Sequence, residues 1–181
     1  MPKVDRRILK SQEAIKKALI ELMSKKNFDH ITIQEIADTA DVNRTTVYFH
    51  YMDKYDLLDK LIEEHINKLQ EMCESACQLD WKGATQIFCE YFENNYAFFS
   101  LMVASKGAPY FRKHFLDFLL EAFRNEVDVT QGKNQGLDEE VILGFSASAY
   151  VGVLEQWFIN GKNVPHTVLA EQLGTLLERI M

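Results

Sequence analysis

Apolar side chains recur at helical spacing along almost the whole chain, and few residues interrupt the pattern. Only 8 Gly and 3 Pro occur among the 181 residues, and these two residue types most often break regular elements. No segment shows the strict apolar/polar alternation of a half-buried strand. The sequence therefore predicts an all-α protein, with three N-terminal helices followed by a larger helical region.

Composition narrows the class further. The chain is 47% hydrophobic and 26% charged, which is typical of a globular protein. We find no run of about 18 apolar residues and no apolar stretch behind the charged start, so we expect neither a membrane span nor a secretory signal. Three cysteines, an odd number, indicate a reducing compartment. We therefore expect a cytoplasmic protein without a membrane partner.

The net charge of −7 is unevenly distributed. Residues 1–60 contain 11 Lys/Arg and 10 Asp/Glu, whereas residues 61–181 contain 9 and 17. Because salt screens charges beyond about 8–10 Å, an acidic body can carry a basic tip. The acidic total therefore does not exclude nucleic acid as a partner.

Two short helices separated by a tight turn are predicted between residues 32 and 50. Thr32 and Glu35 match a capping box, and Asn43 is placed to cap a second helix that runs from Arg44 to about His50. A helix, a tight turn and a second helix is the arrangement that places one helix in the major groove of DNA.

Residues 33–58 resemble the DNA-binding domain of the TetR family of bacterial transcriptional regulators. Two departures are mild: Tyr51 stands where Phe is more usual, and Thr46 where a smaller or apolar residue is common. The resemblance extends back to the first helix, predicted from Arg6 to Lys26, and covers about a third of the chain. The motif residues that carry it are Ile36, Ala37, Val42, Tyr48, Tyr51, Lys54, Leu57 and Leu58.

The resemblance implies phosphate contacts for Tyr48 and Lys54 and a further backbone contact for His50. The short polar groups on the second helix suit base edges, and an Arg can pair bidentately with guanine. A helix N-terminus such as that at Thr32 favours a phosphate, and Lys3, Arg6, Arg7 and Lys10 form a basic leading arm. The predicted DNA-binding residues are Thr32, Asn43, Arg44, Thr45, Thr46, Tyr48, His50 and Lys54.

Plainer interpretations of some of these residues remain open. Tyr51 is better explained as a core aromatic. Asn43 can be explained as a cap alone. A solvated helix face explains four basic residues as well as a DNA surface does: Arg6, Arg7, Lys16 and Lys17.

The predicted organisation is a helix-turn-helix DNA-binding domain at residues 1–53, a connecting helix at about 54–78 and a C-terminal dimerisation and effector domain at 79–181. Gly144, Ser148 and Gly152 recur every four residues, which permits close helix approach, either to a second subunit or within the chain. The resemblance implies a homodimer through the last two helices.

Residues 81–123 hold 12 of the 21 aromatic residues. The segment 104–109 is predicted to divide this stretch into two helices. Most of the aromatic residues are expected in a core, but the resemblance also implies an effector site among the middle helices. The C-terminal pattern further resembles regulators from Firmicutes, including those of dihydroxyacetone metabolism. The candidate pocket residues are Phe88, Phe92, Tyr96, Phe99, His114, Phe115, Tyr150 and Trp157, with Glu155 as a further polar anchor.

We therefore expect a homodimeric repressor that an unknown small molecule releases from a palindromic double-stranded DNA operator. One alternative is a DNA-binding co-activator whose C-terminal domain binds a protein partner, for which exposed Phe98, Phe111 and Phe118 would argue. A second alternative is a metal or redox sensor that uses Cys73 and Cys77. We predict no catalytic residue, metal site or cofactor.

Overall fold

A computed structural model describes residues 6–76, 79–104, 108–124, 126–130 and 132–181. Within these ranges the chain forms nine α-helices, two short 3-10 helices and no strand, which confirms the all-α prediction. Lys3 and Cys77 lie outside the described residues. The helices are α1 (Arg6–Lys25), α2 (Ile33–Thr39), α3 (Arg44–His50), α4 (Lys54–Ala76), α5 (Trp81–Asn94), α6 (Tyr96–Ala104), α7 (Ala108–Arg124), α8 (Glu139–Ile159) and α9 (His166–Ile180), and the 3-10 helices are Phe28–His30 and Gly132–Asn134.

The chain divides into two compact units, Met1–His65 and Ile66–Met181, and α4 runs from the first into the second. In the first unit, α1, α2 and α3 pack against one another. Ile15, Leu19, Ile36 and Val47 are fully buried there. Removing these apolar surfaces from water is the main force that holds the three helices together.

In the second unit, α5 packs closely on α9, while α6 and α7 pack on α8. Gly174 makes the first contact possible, because a Cβ built on it would lie 2.6 Å from the Lys82 Cα. Phe92 and Phe99, both almost fully buried, meet edge to face at 4.9 Å between ring centroids. This unit therefore has an aromatic core of its own.

The aromatic segment forms three helices, which corrects the prediction of two. Helix α6 ends at Ala104 and α7 begins at Ala108, and residues 105–107 of the predicted break lie outside the described residues. A second break falls at Asn95, which caps the C-terminus of α5. The Asn95 side chain donates to the Tyr91 carbonyl at 2.9 Å. An amide that binds its own backbone favours a helix end.

By length and composition alone, helix α8 (Glu139–Ile159) is long and apolar enough to cross a membrane. Half of its most apolar stretch is buried within the second unit. Its packing against α6 and α7 is that of a central core helix.

Candidate nucleic-acid interface and effector cavity

Helix α2 begins at the predicted capping box. The Thr32 hydroxyl accepts from the Glu35 backbone N–H at 3.2 Å, and the Glu35 carboxylate accepts from the Thr32 N–H at 3.0 Å. Lys26 donates to the same carboxylate at 2.5 Å. Lys26 first, and then the Thr32 groups, lower the pKa of Glu35 to about 2. The start of α2 is thus fixed by a charged capping group.

The turn between α2 and α3 passes through a left-handed residue, Asp41, with φ of 54°. The Val42 N–H donates to the Ala37 carbonyl at 3.0 Å, and the Asp41 N–H donates to the Asp38 carbonyl at 3.3 Å. These two bonds form a Schellman motif, in which the left-handed position usually carries Gly. The motif ends α2 abruptly and turns the chain into α3.

Helix α3 presents a polar face to solvent. Val47 is fully buried and anchors the helix, whereas Arg44, Thr45 and Tyr48 are exposed. Thr46 is half-buried. Among the described residues, none hydrogen-bonds the Asn43 side chain as a helix cap. Asn43 therefore stands at the N-cap position of α3, but its exposed side-chain amide makes no capping hydrogen bond.

Arg44 and Tyr48 interact across one turn of α3. The Arg44 guanidinium donates to the Tyr48 hydroxyl at 3.1 Å and lies 5.4 Å from the centre of the Tyr48 ring. Both side chains are consequently held on the same exposed face. Arginine positioned in this way suits a guanine edge, and a tyrosine hydroxyl suits a phosphate.

His50, at the end of α3, contacts α1. Its Nε2 lies 3.0 Å from the Ser11 hydroxyl, and Lys60 donates to its backbone carbonyl at 3.3 Å. Burial, followed by the Lys60 charge, lowers the pKa of the imidazole below its usual value. The shift favours the neutral form of the imidazole.

Lys54 has a structural role that the sequence did not reveal. Its Nζ donates to the carbonyls of Phe28, Asp29 and Ile31, at 3.0, 2.7 and 3.0 Å. The ammonium also lies over the Phe28 and Tyr55 rings, at 5.0 and 5.3 Å from their centres. Three carbonyl acceptors match the three protons of an ammonium, so Lys54 joins α4 to the turn before α2. The phosphate contact stays a prediction.

A shallow groove of about 440 Å³ lies between α1 and α3, and Thr45, Thr46 and His50 are among its lining residues. Phe49, also on its wall, is 73% exposed, and sequence reasoning missed it. The missed signal is its helical register, because residues 47 and 51 are buried and residue 49 therefore faces outward. Arg6, Arg7 and Lys10 of the predicted arm are exposed on α1.

The second unit contains a cavity of about 830 Å³. Of the eight predicted pocket residues, Phe88, Phe92, Phe115 and Tyr150 line it. The other four predicted residues do not line it: Tyr96, Phe99, His114 and Trp157.

Contacts elsewhere explain where those side chains lie. The Tyr96 hydroxyl donates to the Phe158 carbonyl at 3.1 Å, and the Trp157 indole donates to the Val164 carbonyl at 2.8 Å. His114 packs on the Tyr110 ring, with 4.4 Å between ring centres. Phe99 packs on Phe92 in the core, as described above. Glu155, the further polar anchor, accepts from Arg112 at 2.9 Å instead.

A short α2–turn–α3 unit with an exposed polar second helix, followed by a separate helical unit, defines a helix-turn-helix transcriptional regulator. Residues 15–61 match the bacterial regulatory proteins of the tetR family, and residues 80–179 match a transcriptional regulator C-terminal region. The chain belongs to the TetR family of bacterial transcriptional regulators.

Relatives agree with this assignment. The uncharacterized HTH-type transcriptional regulator YxbF of Bacillus subtilis is 29% identical over 65% of this chain, but the match spans only 31% of YxbF. DhaS of Lactococcus lactis, a dhaKLM operon transcriptional activator, is 22% identical over 85% of this chain and 82% of its own length.

Solved structures share the fold. A DhaS structure has a TM-score of 0.70 at 20% identity and covers 93% of this chain and 94% of its own. A TetR transcriptional regulator from Streptococcus agalactiae has a TM-score of 0.73 at 24% identity, and 96% of each chain is covered.

Proposed function

We propose that the chain is a homodimeric repressor that leaves a palindromic operator when a small molecule enters the cavity of the second unit. The exposed polar face of α3, held in place by buried Val47, is the single observation that carries the DNA-binding part. A protein that acts on a bacterial operator works in the cytoplasm.

Helix α3 supplies the base contacts in this proposal. The base edges in the major groove are contacted by Arg44, Thr45 and Thr46. The guanidinium supplies several donors, and the two threonines supply short hydroxyl groups. Asn43, whose amide makes no cap bond, lies at the same end of the helix. Phosphates are contacted from around this face by Thr32, Tyr48, His50 and Lys54, which set the register of the helix.

The exposed face of α8 supports dimerisation through α8 and α9. Val141, Phe145 and Ile159 are each more than 60% exposed on this helix. A Cβ added to Gly144 or Gly152 would meet no described atom within 4 Å. The small-residue stripe therefore has no partner helix among the described parts of its own chain, and a second subunit would cover this apolar surface.

An activator is the second candidate, because DhaS, which aligns with most of this chain, is named as an activator. The specific feature expected of a protein-docking co-activator is absent, however. Phe98, Phe111 and Phe118 are buried in the second unit and form no exposed aromatic patch. A partner protein would have to dock elsewhere, whereas a cavity is already formed for a small molecule.

The metal or redox alternative has little support. In the described ranges no three His, Cys, Asp or Glu side chains are grouped so that they could hold a metal ion. Burial raises the pKa of the Cys89 thiol to about 12, which keeps it in the unreactive protonated form. Cys77, the partner proposed for Cys73, lies outside the described residues.

Selection of duplexes from random DNA by the full chain tests the proposal. We expect a symmetric motif with half-sites about one helical turn apart, or a multiple of it. Arg44→Ala should weaken binding to the selected duplex by about 1–3 kcal/mol and relax the motif at one position. Lys25→Ala, which removes the same charge from the end of α1, is the control. An unchanged motif for Arg44→Ala would contradict the assigned base contact.

A further inference from the structure

The charged residues described in the wall of the second unit's cavity are all acidic. Its volume of about 830 Å³ lies within the range of pockets for drug-sized molecules, about 300–1,000 Å³. Among the residues that the structure describes, four carboxylates contribute to its wall, from Glu74, Asp80, Glu121 and Glu126, and no Lys, Arg or His lines it. A negatively charged ligand would meet these carboxylates without any compensating cation.

Basic side chains close to the cavity are turned to other partners. Arg124 follows the lining residue Phe123, but it donates to Glu140 at 2.8 Å and lies 3.7 Å from Glu139. Lys82 lies 3.7 Å from Glu178. Neither Arg124 nor Lys82 lines the cavity. The carboxylates of the wall therefore keep their negative potential.

The ends of two helices near the cavity also add negative potential. Helix α4 ends at Ala76, which lines the cavity, and α7 ends at Arg124, next to its wall. Both helices place their partially negative C-termini there. The partially positive N-terminus of α5 is also present, but its cap, Asp80, accepts from the Gly83 N–H at 2.8 Å and offsets that charge.

The interior of the cavity is aromatic, with two buried hydroxyls. Seven of its lining residues are Phe, Tyr or Trp, and aromatic faces attract cations. Tyr150 and Thr85 line the cavity while only 5% and 2% exposed. Among the described residues, neither hydroxyl has a hydrogen-bond partner. Buried polar groups usually have one, so these two hydroxyls are available to orient a bound molecule.

We infer that the cavity takes a lipophilic cation, an amine or quaternary ammonium type of molecule with an aromatic or aliphatic body. The body lies between the aromatic faces, the positive charge faces Glu74, Glu121 and Glu126, and the Tyr150 and Thr85 hydroxyls bind polar atoms of the body. This inference rests on the proposed function only in naming the effector class. The charge preference of the cavity does not depend on DNA.

Tetraphenylphosphonium and tetraphenylborate test the inference, because they share a shape and differ in the sign of their charge. Calorimetric titration of the full chain at 0.15 M salt should show the phosphonium binding at least about tenfold more tightly than the borate. Glu121→Gln combined with Glu126→Gln should reduce this preference several-fold. Glu63→Gln combined with Glu90→Gln makes the same change in charge outside the cavity and should leave the preference intact.

Ala122→Trp fills the cavity and should abolish phosphonium binding, with retained helicity by circular dichroism as the check on folding. Equal or tighter borate binding, or phosphonium binding that survives Ala122→Trp in a folded protein, overturns the inference. If the Trp variant does not fold, the paired Gln variants still decide the charge preference. Phosphonium binding with the expected preference that leaves the DNA complex intact, measured by fluorescence anisotropy on the selected duplex, supports the cation site and contradicts only effector release.

Discussion

At the scale of single residues, Lys54 stabilises the first unit in addition to the phosphate contact that is proposed for it. Its ammonium is held by three backbone carbonyls from the turn before α2. Hydrogen bonds to charged groups are worth more than neutral ones. Lys54, which the motif assigns to a phosphate contact, therefore also makes hydrogen bonds within the first unit.

Lys54→Ala should lower the free energy of unfolding by about 1–2 kcal/mol, because three carbonyls lose a charged donor. It should also weaken binding to all DNA sequences alike and reduce the salt slope by about 1 if the residue meets a phosphate. Urea denaturation and salt-dependent anisotropy measure the two effects separately. Lys25→Ala, which removes an ammonium that pairs with exposed Glu21 at 2.6 Å, should change neither. A variant of unchanged stability would show that the carbonyl bonds contribute nothing.

At the scale of helices, local signals at the ends were readable from sequence. The capping box at Thr32 occurs as predicted, and Asp53 and the left-handed Gly161 mark helix ends by signals that are equally local. Such signals depend on residues within one turn of each other.

Longer-range features were not readable in the same way. The carbonyls that hold Lys54 are 23–26 residues away in sequence, and nothing local indicates them. Half of the predicted pocket residues do not line the cavity for a related reason: helical period tells which side of a helix is apolar, but not which helix that side meets. In α8, where apolar residues lie on all sides, even the outward face is not defined by the pattern.

The cap of α2 should make stability depend on pH. The folded pKa of Glu35 is about 2, below the model-compound value of 4.5. A lowered carboxylate pKa stabilises the fold at pH above about 4.5, and this contribution is lost as the pH falls toward 2. Urea midpoints of the wild type and Glu35→Gln should thus differ at pH 6 and converge near pH 2. The urea midpoint of the Glu63→Gln control should change with pH as that of the wild type does. A difference between the wild type and Glu35→Gln that stays constant from pH 6 to pH 2 would contradict the lowered pKa of Glu35.

The contact between α5 and α9 should tolerate no side chain at Gly174. A Cβ there would lie 2.6 Å from the Lys82 Cα and 2.9 Å from its backbone nitrogen. Gly174→Ala should therefore destabilise the protein by about 1–3 kcal/mol, the usual cost of overpacking. Glu90→Ala, at an exposed position of α5, should change the stability by less than about 0.5 kcal/mol. Equal urea midpoints for the two variants would show that the helices separate without cost.

At the scale of the whole molecule, the exposed side of α8 is the surface that the proposed dimer would cover. Phe145 is 63% exposed, and it shares this side with Val141 and Ile159. Apolar surface of this kind on a regulator marks an interaction site. The pairing of two subunits is what would place two α3 helices on one operator.

Phe145→Asp should weaken the dimer about thirtyfold or more, since burying a charge in place of a central aromatic anchor is costly. Sedimentation velocity over a range of concentrations gives the dimer affinity, and anisotropy shows whether operator binding falls with it. Leu137→Asp places the same charge on an exposed loop residue and should leave the dimer unchanged. A Phe145→Asp protein that stays dimeric at nanomolar concentration would exclude this face as the interface.

The exposed apolar face of α8 would also make the stability of the protein depend on its concentration. In the proposed dimer, mass action makes the melting temperature rise with protein concentration, because pairing removes folded subunits from the unfolding equilibrium. A regulator present at few copies per cell would have a low melting temperature on this relation. Its unpaired subunits would unfold more often and would be more readily proteolysed. The amount synthesised would then set both operator occupancy and the lifetime of the protein.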